Sequence, residues 1–289
     1  SAKALRLSAS LRAANDLLSQ SWLGKSNLAS SALLRSKLGK STRPAPSLHQ
    51  ISGVLAQCAL AFKNKDYQVA DDLAAAVNQA EDTITLSTSQ RFRGWLYRGM
   101  ARIGLGEVSY DAVNRASECD PRADSMHSGM MELLGVTSLE EVKQWLRTQR
   151  ASMSSDLHGE FAVMMSCMQL DELVLESVEI TEDTEPVLIH YQTVACVHLG
   201  RYEQAEKLFQ LLPPPENDGA AVAILGAHVY RGLHDYEKAL LFVQAALVKT
   251  APGSPQRIQL LFERAMLCLK LRHFEAVRQC IYELAFKPD

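Results

Sequence analysis

A spacing of 34 residues constrains the fold of this 289-residue chain more than any other feature of its sequence. In the segment 200–205 (GRYEQA), an aromatic residue is followed three positions later by alanine, and Tyr236 and Ala239 repeat this pattern 34 residues further on. A third copy, Phe274 and Val277, follows after 38 residues, with the extra positions in a loop that contains Pro, Gly and Ser. Such a period is typical of stacked helical hairpins, because one hairpin cannot bury its apolar face alone.

A fourth copy lies upstream, where Tyr67 and Ala70 have the same spacing. In each copy we expect the aromatic ring to wedge between the two helices of its pair. A small residue on the first helix should face the alanine, and this series is Cys58, Thr193, Ala227 and Ala265. A turn glycine is expected at Gly200 and, in a shifted position, at Gly232. These residues resemble the tetratricopeptide repeat family, which implies an all-α fold: a solenoid of antiparallel helix pairs, with an N-terminal helical arm.

The match to the repeat divides the chain into four parts. Residues 1–47 are predicted to be a basic N-terminal helical arm and linker, in which apolar residues of segment 4–23 recur at three- and four-residue steps. Residues 48–125 are expected to form degenerate tetratricopeptide-like helix pairs. Residues 126–184 read as an irregular helical middle region without a repeat register. Residues 185–289 are predicted to form the C-terminal tetratricopeptide-like repeats.

The middle region carries two signals of its own. Ser138 and Glu141 match a capping box, which predicts a helix that runs to about Arg150. Seven of the nine methionines lie between Met126 and Met168. Methionine serves either an adaptable binding surface or an irregular core, and the second use is the commoner one.

Charge and cysteine content bear on the compartment. Residues 1–45 hold eight basic residues and one acidic residue, whereas the whole chain has a formal net charge of −3. A basic, Ser-rich start is typical of a mitochondrial presequence, but we favour a retained basic arm. The six scattered cysteines suit a reducing compartment. We therefore expect a cytoplasmic protein, with the mitochondrion as the alternative, and no apolar run is long enough to span a membrane.

Sequence motifs give no indication of an enzyme. Two Gly-Lys-Ser sequences, at 24–26 and 39–41, lack both the earlier glycine and the preceding strand of a phosphate-binding loop. The eight histidines show no spacing that suits a metal site. We expect no catalytic residues, no metal and no cofactor.

The resemblance also indicates where a partner would bind, since tetratricopeptide proteins line a concave groove with the inner face of each first helix. The implied groove residues are Val187, His190, Val194 and Val197, then Ile224, His228 and Arg231, and then Phe262, Met266 and Leu269. This surface is mainly apolar, which suits an amphipathic helix or an apolar peptide. Only Arg231 could contribute to the carboxylate clamp of chaperone-binding relatives.

The resulting functional hypothesis is a non-catalytic scaffold or adaptor, a subunit of a multiprotein assembly whose partners are other proteins. The groove is either open to a partner or already filled, for instance by residues 4–23 of the same chain. The alternative is an organellar RNA-binding protein similar to the pentatricopeptide family, suggested by the segment 205–209 (AEKLF) and the basic start. Binding to nucleic acid requires a basic groove, and the repeat region is net acidic, so the protein-binding hypothesis is preferred.

Overall fold

The computed structural model describes residues 48–181, 183–213 and 219–286. Within these ranges the chain forms fourteen α-helices, one short 3-10 helix and no β-strand, which confirms the predicted all-α fold. Helices that follow each other in the chain pack in pairs, as in a helical solenoid. The predicted N-terminal arm, residues 1–47, lies outside the described residues. None of the helices described here has the length and apolar character that crossing a membrane requires.

The described residues form two compact units, which we call the N-terminal unit (up to residue 179) and the C-terminal unit (from residue 180). The N-terminal unit contains α1 Leu48–Lys63, α2 Tyr67–Ala80, α3 Thr88–Gly104, α4 Tyr110–Cys119, α5 Ala123–Leu134, α6 Leu139–Ser152, α7 His158–Cys167 and α8 Asp171–Ser177. The C-terminal unit contains α9 Pro186–His198, α10 Tyr202–Phe209, α11 Gly219–Gly232, α12 Tyr236–Lys249, α13 Pro255–Lys270 and α14 Phe274–Phe286.

One type of backbone turn joins the two helices in five of the pairs. The residue two positions before the second helix has a positive φ, and these residues are Lys65, Gln169, Gly200, His234 and Arg272. The next residue donates its N–H to the carbonyl five positions earlier, as from Asp66 to Ala61 at 2.9 Å. This is the Schellman arrangement that ends many helices. The predicted turn glycine is therefore correct at Gly200 and wrong at Gly232, because His234 takes the left-handed conformation there.

The predicted small residues lie in the helix interfaces of most pairs. Between α1 and α2, the Cys58 thiol lies 3.2 Å from the Ala70 carbonyl oxygen, close enough to donate a hydrogen bond to it, and both residues are fully buried. Fully buried residues at the corresponding positions of the next pairs are Thr193, Ala205, Ala227 and Ala239. In the last pair, Ala265 and Val277 are only partly buried.

The aromatic residue that opens the second helix reaches beyond its own pair. The ring of Tyr67 lies against Gly104, the last residue of α3, and the ring of Tyr202 lies against Gly232, the last residue of α11. A Cβ on Gly104 would lie 2.6 Å from ring carbons of Tyr67, so only glycine fits without displacing the ring. Tyr67 and Tyr202 therefore connect successive pairs, a role that the predicted wedge within one pair did not include.

A helix pair with the shared turn lies inside the region in which no repeat register was found. Gln169 has a φ of 56° between α7 and α8. However, Asp171 takes the place of the aromatic residue, and Val174 takes the place of the alanine. Because this turn is held by backbone hydrogen bonds, it leaves no signature in the side chains that the sequence pattern used.

Two other predictions for the middle region are confirmed. Ser138 caps α6, and its own N–H donates to the Glu141 carboxylate at 3.1 Å, which completes the capping box. Methionines fill the interior, where at most 2 % of the surface is exposed for Met126, Met130, Met164, Met165 and Met168. Some of these residues lie on α5, which does not continue the order of pairs and packs back on α1 and α3.

Candidate functional site

The ten predicted groove residues lie on the first helices of the three pairs of the C-terminal unit. α9 carries Val187, His190, Val194 and Val197; α11 carries Ile224, His228 and Arg231; α13 carries Phe262, Met266 and Leu269. Within each helix these positions follow each other at three- and four-residue steps, so each set shares one helix face. The structure reproduces this arrangement on three successive first helices.

Little side-chain surface is accessible on α9. His190 and Val194 are buried, and Val187 and Val197 are half-buried. Burial lowers the pKa of the His190 imidazole to about 4, so the ring is neutral at pH 7. The accessible part of the predicted site therefore lies on α11 and α13. We call the surface around Ile224, Arg231, Phe262, Met266 and Leu269 the C-terminal groove; His228 lies on the same face of α11 but is buried.

The α13 side of the groove is an exposed apolar stripe. Phe262, Met266 and Leu269 are 60 %, 58 % and 50 % exposed, and Ile258 extends the stripe by one turn toward the start of the helix. Single exposed apolar residues are ordinary on protein surfaces, but a contiguous row on one helix face makes this surface a candidate binding site.

A polar bridge connects α11 with α13 along the same face. The Arg231 guanidinium (Nη1) donates to Glu263 Oε1 at 2.7 Å, and His228 Nε2 lies 3.5 Å from Glu263 Oε2. Burial raises the pKa of the Glu263 carboxyl, but the hydrogen bond from His228 and the nearby charges of His228 and Arg231 outweigh it, so the pKa lies below its usual value. Because Arg231 is paired with Glu263, it is not a free cation for clamping a carboxylate.

A cavity of about 330 Å³ opens beside the stripe. It is lined by Arg231, His234, Tyr236, Glu263, Met266, Leu267 and Lys270. Lys270 occupies the position that Gly232 has in the preceding pair. Gly232 lets the Tyr202 ring pack directly on α11, whereas the corresponding Lys270 and Tyr236 both line the cavity. Within the described ranges, the Lys270 ammonium has no ion-pair partner.

The corresponding surface of the N-terminal unit is covered by a helix. Gly104 at the end of α3 receives the Tyr67 ring as Gly232 at the end of α11 receives the Tyr202 ring, so the two helices can be aligned on these glycines. Leu96 then corresponds to Ile224, because each lies eight residues before its glycine. Leu96 is fully buried. A Cβ added to Gly129 of α5 would lie 2.6 Å from Cδ2 of Leu96, which shows how closely α5 approaches α3. On α3, the face that corresponds to the groove face of α11 is therefore covered by α5.

A second cavity, of about 380 Å³, lies where α3 and α5 begin in the N-terminal unit. Its charged side chains pair with each other, since Arg93 bonds Glu132 at 2.9 Å and Arg122 bonds Asp120. No uncompensated charge is thus left in it to select a ligand. In the part of the chain that the structure describes, no three His, Cys, Asp or Glu side chains are grouped so as to hold a metal ion.

Comparison with known proteins gives no match, either to a protein-family model or to a curated protein sequence. The geometry of the groove is therefore the basis on which its function is inferred. Sequence reasoning missed Glu263, Lys270 and Ile258 as residues of this region. The repeat register could have located Glu263 and Lys270, because these charged residues occupy the positions that Leu225 and Gly232 have in the preceding pair.

Proposed function

We propose that this protein is a tetratricopeptide-like, non-catalytic scaffold that binds an amphipathic helix of a partner protein in its C-terminal groove. The observation that carries the proposal is the exposed stripe of Phe262, Met266 and Leu269 on α13. Covering the exposed parts of these three side chains would contribute about 3–5 kcal/mol toward binding a helix.

A helical occupant is preferred over an extended peptide because of the N-terminal unit. There α5 packs on α1 and α3, and its Gly129 lies close to Leu96 on the α3 face that corresponds to the groove face of α11. The groove offers no strand edge with which an extended peptide could form backbone hydrogen bonds, whereas a helix satisfies its own. An apolar helix face therefore matches this surface.

The charges around the groove also define the occupant. Arg231 is neutralised by Glu263, and Lys270 remains unpaired within the described residues. A partner helix with an acidic residue beside its apolar face would compensate Lys270 at the rim, where such a pair contributes more to specificity than to affinity. We also propose that the protein is a stable subunit of a multiprotein assembly. A reducing compartment suits it, because all six cysteines are free thiols.

Affinity purification of the tagged full-length chain from its own cells, with quantitative mass spectrometry, tests the proposal. The double variant Phe262→Asp/Met266→Asp should recover at least about tenfold less of the partner protein than the wild type does, because a docked helix would bury two unpaired carboxylates. Leu241→Asp on α12 is the matched control, since Leu241 is an exposed leucine outside the groove. Circular dichroism should show that all three proteins fold.

Two results would contradict the proposal. A folded, monodisperse double variant that recovers the same proteins as the wild type would show that the groove is not the binding surface. Salt-dependent binding of RNA by the wild-type chain would instead support the pentatricopeptide-like alternative, because phosphate contacts weaken as ionic strength rises.

A further inference from the structure

The second helix of the last described pair has an apolar face that is covered in the preceding pairs. Phe274 and Ile281 lie seven residues apart on α14, hence on one face, and they are 62 % and 55 % exposed. Their counterparts are Tyr202 and Phe209 on α10, and Tyr236 and Val243 on α12. Phe209 and Val243 are both buried. We call the surface around Phe274, Arg278 and Ile281 the α14 stacking face.

The interface between α10 and α11 shows what such a face accepts. Tyr202, at the start of α10, lies against Gly232 at the end of α11. Phe209, at the end of α10, lies against Gly226, where an added Cβ would be 2.7 Å from its ring. The two helices are thus antiparallel, and two glycines six residues apart receive the two rings.

We propose that the α14 stacking face is a second docking surface, which binds an antiparallel helix of a partner protein that carries two small residues six positions apart. The occupant would continue the stacking that runs from α10 to α11 and from α12 to α13. Phe274 would lie over the small residue near the end of this helix, and Ile281 over the earlier one. This surface is separate from the C-terminal groove, and the inference does not depend on the function proposed for that groove.

The centre of the face specifies the charge of the partner. Arg278 lies between Phe274 and Ile281, its side chain is 81 % exposed, and its counterpart on α12 is the buried Leu240. Within the chain this position is leucine on α12 and Glu206 on α10, where the glutamate interacts with Tyr230 of the facing helix. A charged residue here is thus compatible with stacking when the facing helix supplies a partner, and arginine is enriched in interfaces with other proteins. The partner helix should therefore present a carboxylate between its two small residues.

The same arginine argues against a second copy of this chain as the occupant. In a two-fold pairing of α14 with itself, centred on the apolar face, Arg278 would meet its own copy at the centre. Like charges placed opposite each other disfavour such a contact. The intramolecular pair with Glu275, at 3.4 Å, joins two exposed side chains and leaves the Arg278 guanidinium accessible.

The chain itself supplies a probe for this surface. A helix-stapled peptide of residues 219–233 contains both glycines of α11, and Tyr230 in it faces Glu206, the counterpart of Arg278. The peptide with Tyr230→Glu should bind the full-length chain saturably, and more tightly than the unmodified peptide, in fluorescence anisotropy. Phe274→Asp and Ile281→Asp, each alone, should weaken binding by about tenfold or more. Gly232→Leu in the peptide should do the same, because it removes the space for the Phe274 ring.

Matched variants separate this surface from the others. Val248→Asp on α12 changes a highly exposed valine outside the face, and Met266→Asp changes the C-terminal groove. Both should leave binding of the peptide unchanged. Absence of saturable binding, or equal binding by the Phe274→Asp variant, would overturn the inference. A dimer of the wild-type chain in sedimentation analysis that Phe274→Asp dissociates would also overturn it, in favour of self-association.

Discussion

The contact of Tyr67 with Gly104 provides the sharpest test of how successive helix pairs stack. Gly104→Ala adds one methyl group, whose carbon would lie 2.6 Å from ring carbons of Tyr67. The ring cannot retreat easily, because its centroid lies 5.1 Å from that of Phe62 and 6.4 Å from that of Trp145. Forcing an extra methyl group into such a site costs about 1–3 kcal/mol.

A second term opposes this cost. Alanine is favoured over glycine inside a helix by about 0.5–1 kcal/mol, and by less at Gly104 because it is the last residue of α3. The net expectation for Gly104→Ala is a loss of about 1–2 kcal/mol in the free energy of unfolding.

Gly53 in the same unit supplies the control. It lies inside α1, is exposed, and has no heavy atom within 4 Å of a Cβ added to it. Gly53→Ala should therefore stabilise the N-terminal unit by about 0.5–1 kcal/mol. The same chemical change should thus have opposite signs at two positions, and urea titrations followed by circular dichroism can measure both.

A double-mutant cycle identifies the cause. When Tyr67→Ala has removed the ring, Gly104→Ala should no longer destabilise, which gives a coupling energy of about 1–3 kcal/mol between the two positions. If Gly104→Ala were as stable as Gly53→Ala while Tyr67 is present, the proposed steric role of the glycine would be wrong. Without that role, the alignment of α3 with α11 would lose its support.

The remaining predictions concern ionisable side chains and one turn. Because burial lowers the pKa of His190, the histidine binds a proton more readily in the unfolded chain, and the free energy of unfolding falls below about pH 6.5. Between pH 7 and pH 5 this decrease is about 2 kcal/mol for the wild type, and His190→Gln should abolish it. Urea titrations at pH 5 and pH 7 measure the difference. Glu263→Gln should cost about 1–3 kcal/mol at pH 7 and progressively less in acid, where the low-pKa carboxylate loses its stabilising charge. Lys65→Gly should raise the melting temperature, because it relieves about 0.5–1 kcal/mol of left-handed backbone strain.

Those parts of the fold that depend on side-chain packing between neighbouring helices could be predicted from the sequence. The size of the side chain restricts which residues fit at positions 202 and 205: the ring of Tyr202 must reach the next pair, and the small Ala205 must let two helices approach each other. The capping box of Ser138 and Glu141 is equally local, because both of its hydrogen bonds join residues three positions apart. Such patterns survive in a single sequence because few residue types satisfy them.

The helix pair α7–α8 could not be predicted, because its turn depends on the backbone and not on particular side chains. Its turn requires a residue with positive φ, and this protein uses Gln169 there, whereas corresponding turns use lysine, histidine, arginine or glycine. The hydrogen bond from the Leu170 N–H to the Met165 carbonyl oxygen, at 3.0 Å, places no demand on either side chain. A turn defined by its backbone is therefore recognised only once the helices on both sides are known.

The position of α5 could not be predicted because it depends on contacts distant in sequence. Gly129 on α5 meets Leu96 on α3, and nothing in the local pattern of either helix specifies this meeting. The abundance of methionine was the only hint, since its flexible side chain fills irregular interiors. The sequence pattern gave no indication that a helix would cover the corresponding face in the N-terminal unit.

Departures from the repeat pattern define the surfaces that we propose to be functional. Glu263 replaces a buried leucine, Lys270 replaces a glycine that receives a ring, and Arg278 replaces the buried Leu240. In an interior position each charge would be destabilising unless it were paired. Glu263 is paired with Arg231 inside the chain, whereas Lys270 has no such partner in the described residues and Arg278 has only an exposed one. Under the two proposals, a group of one partner protein would compensate Lys270 at the groove, and a group of another would compensate Arg278 at the α14 stacking face.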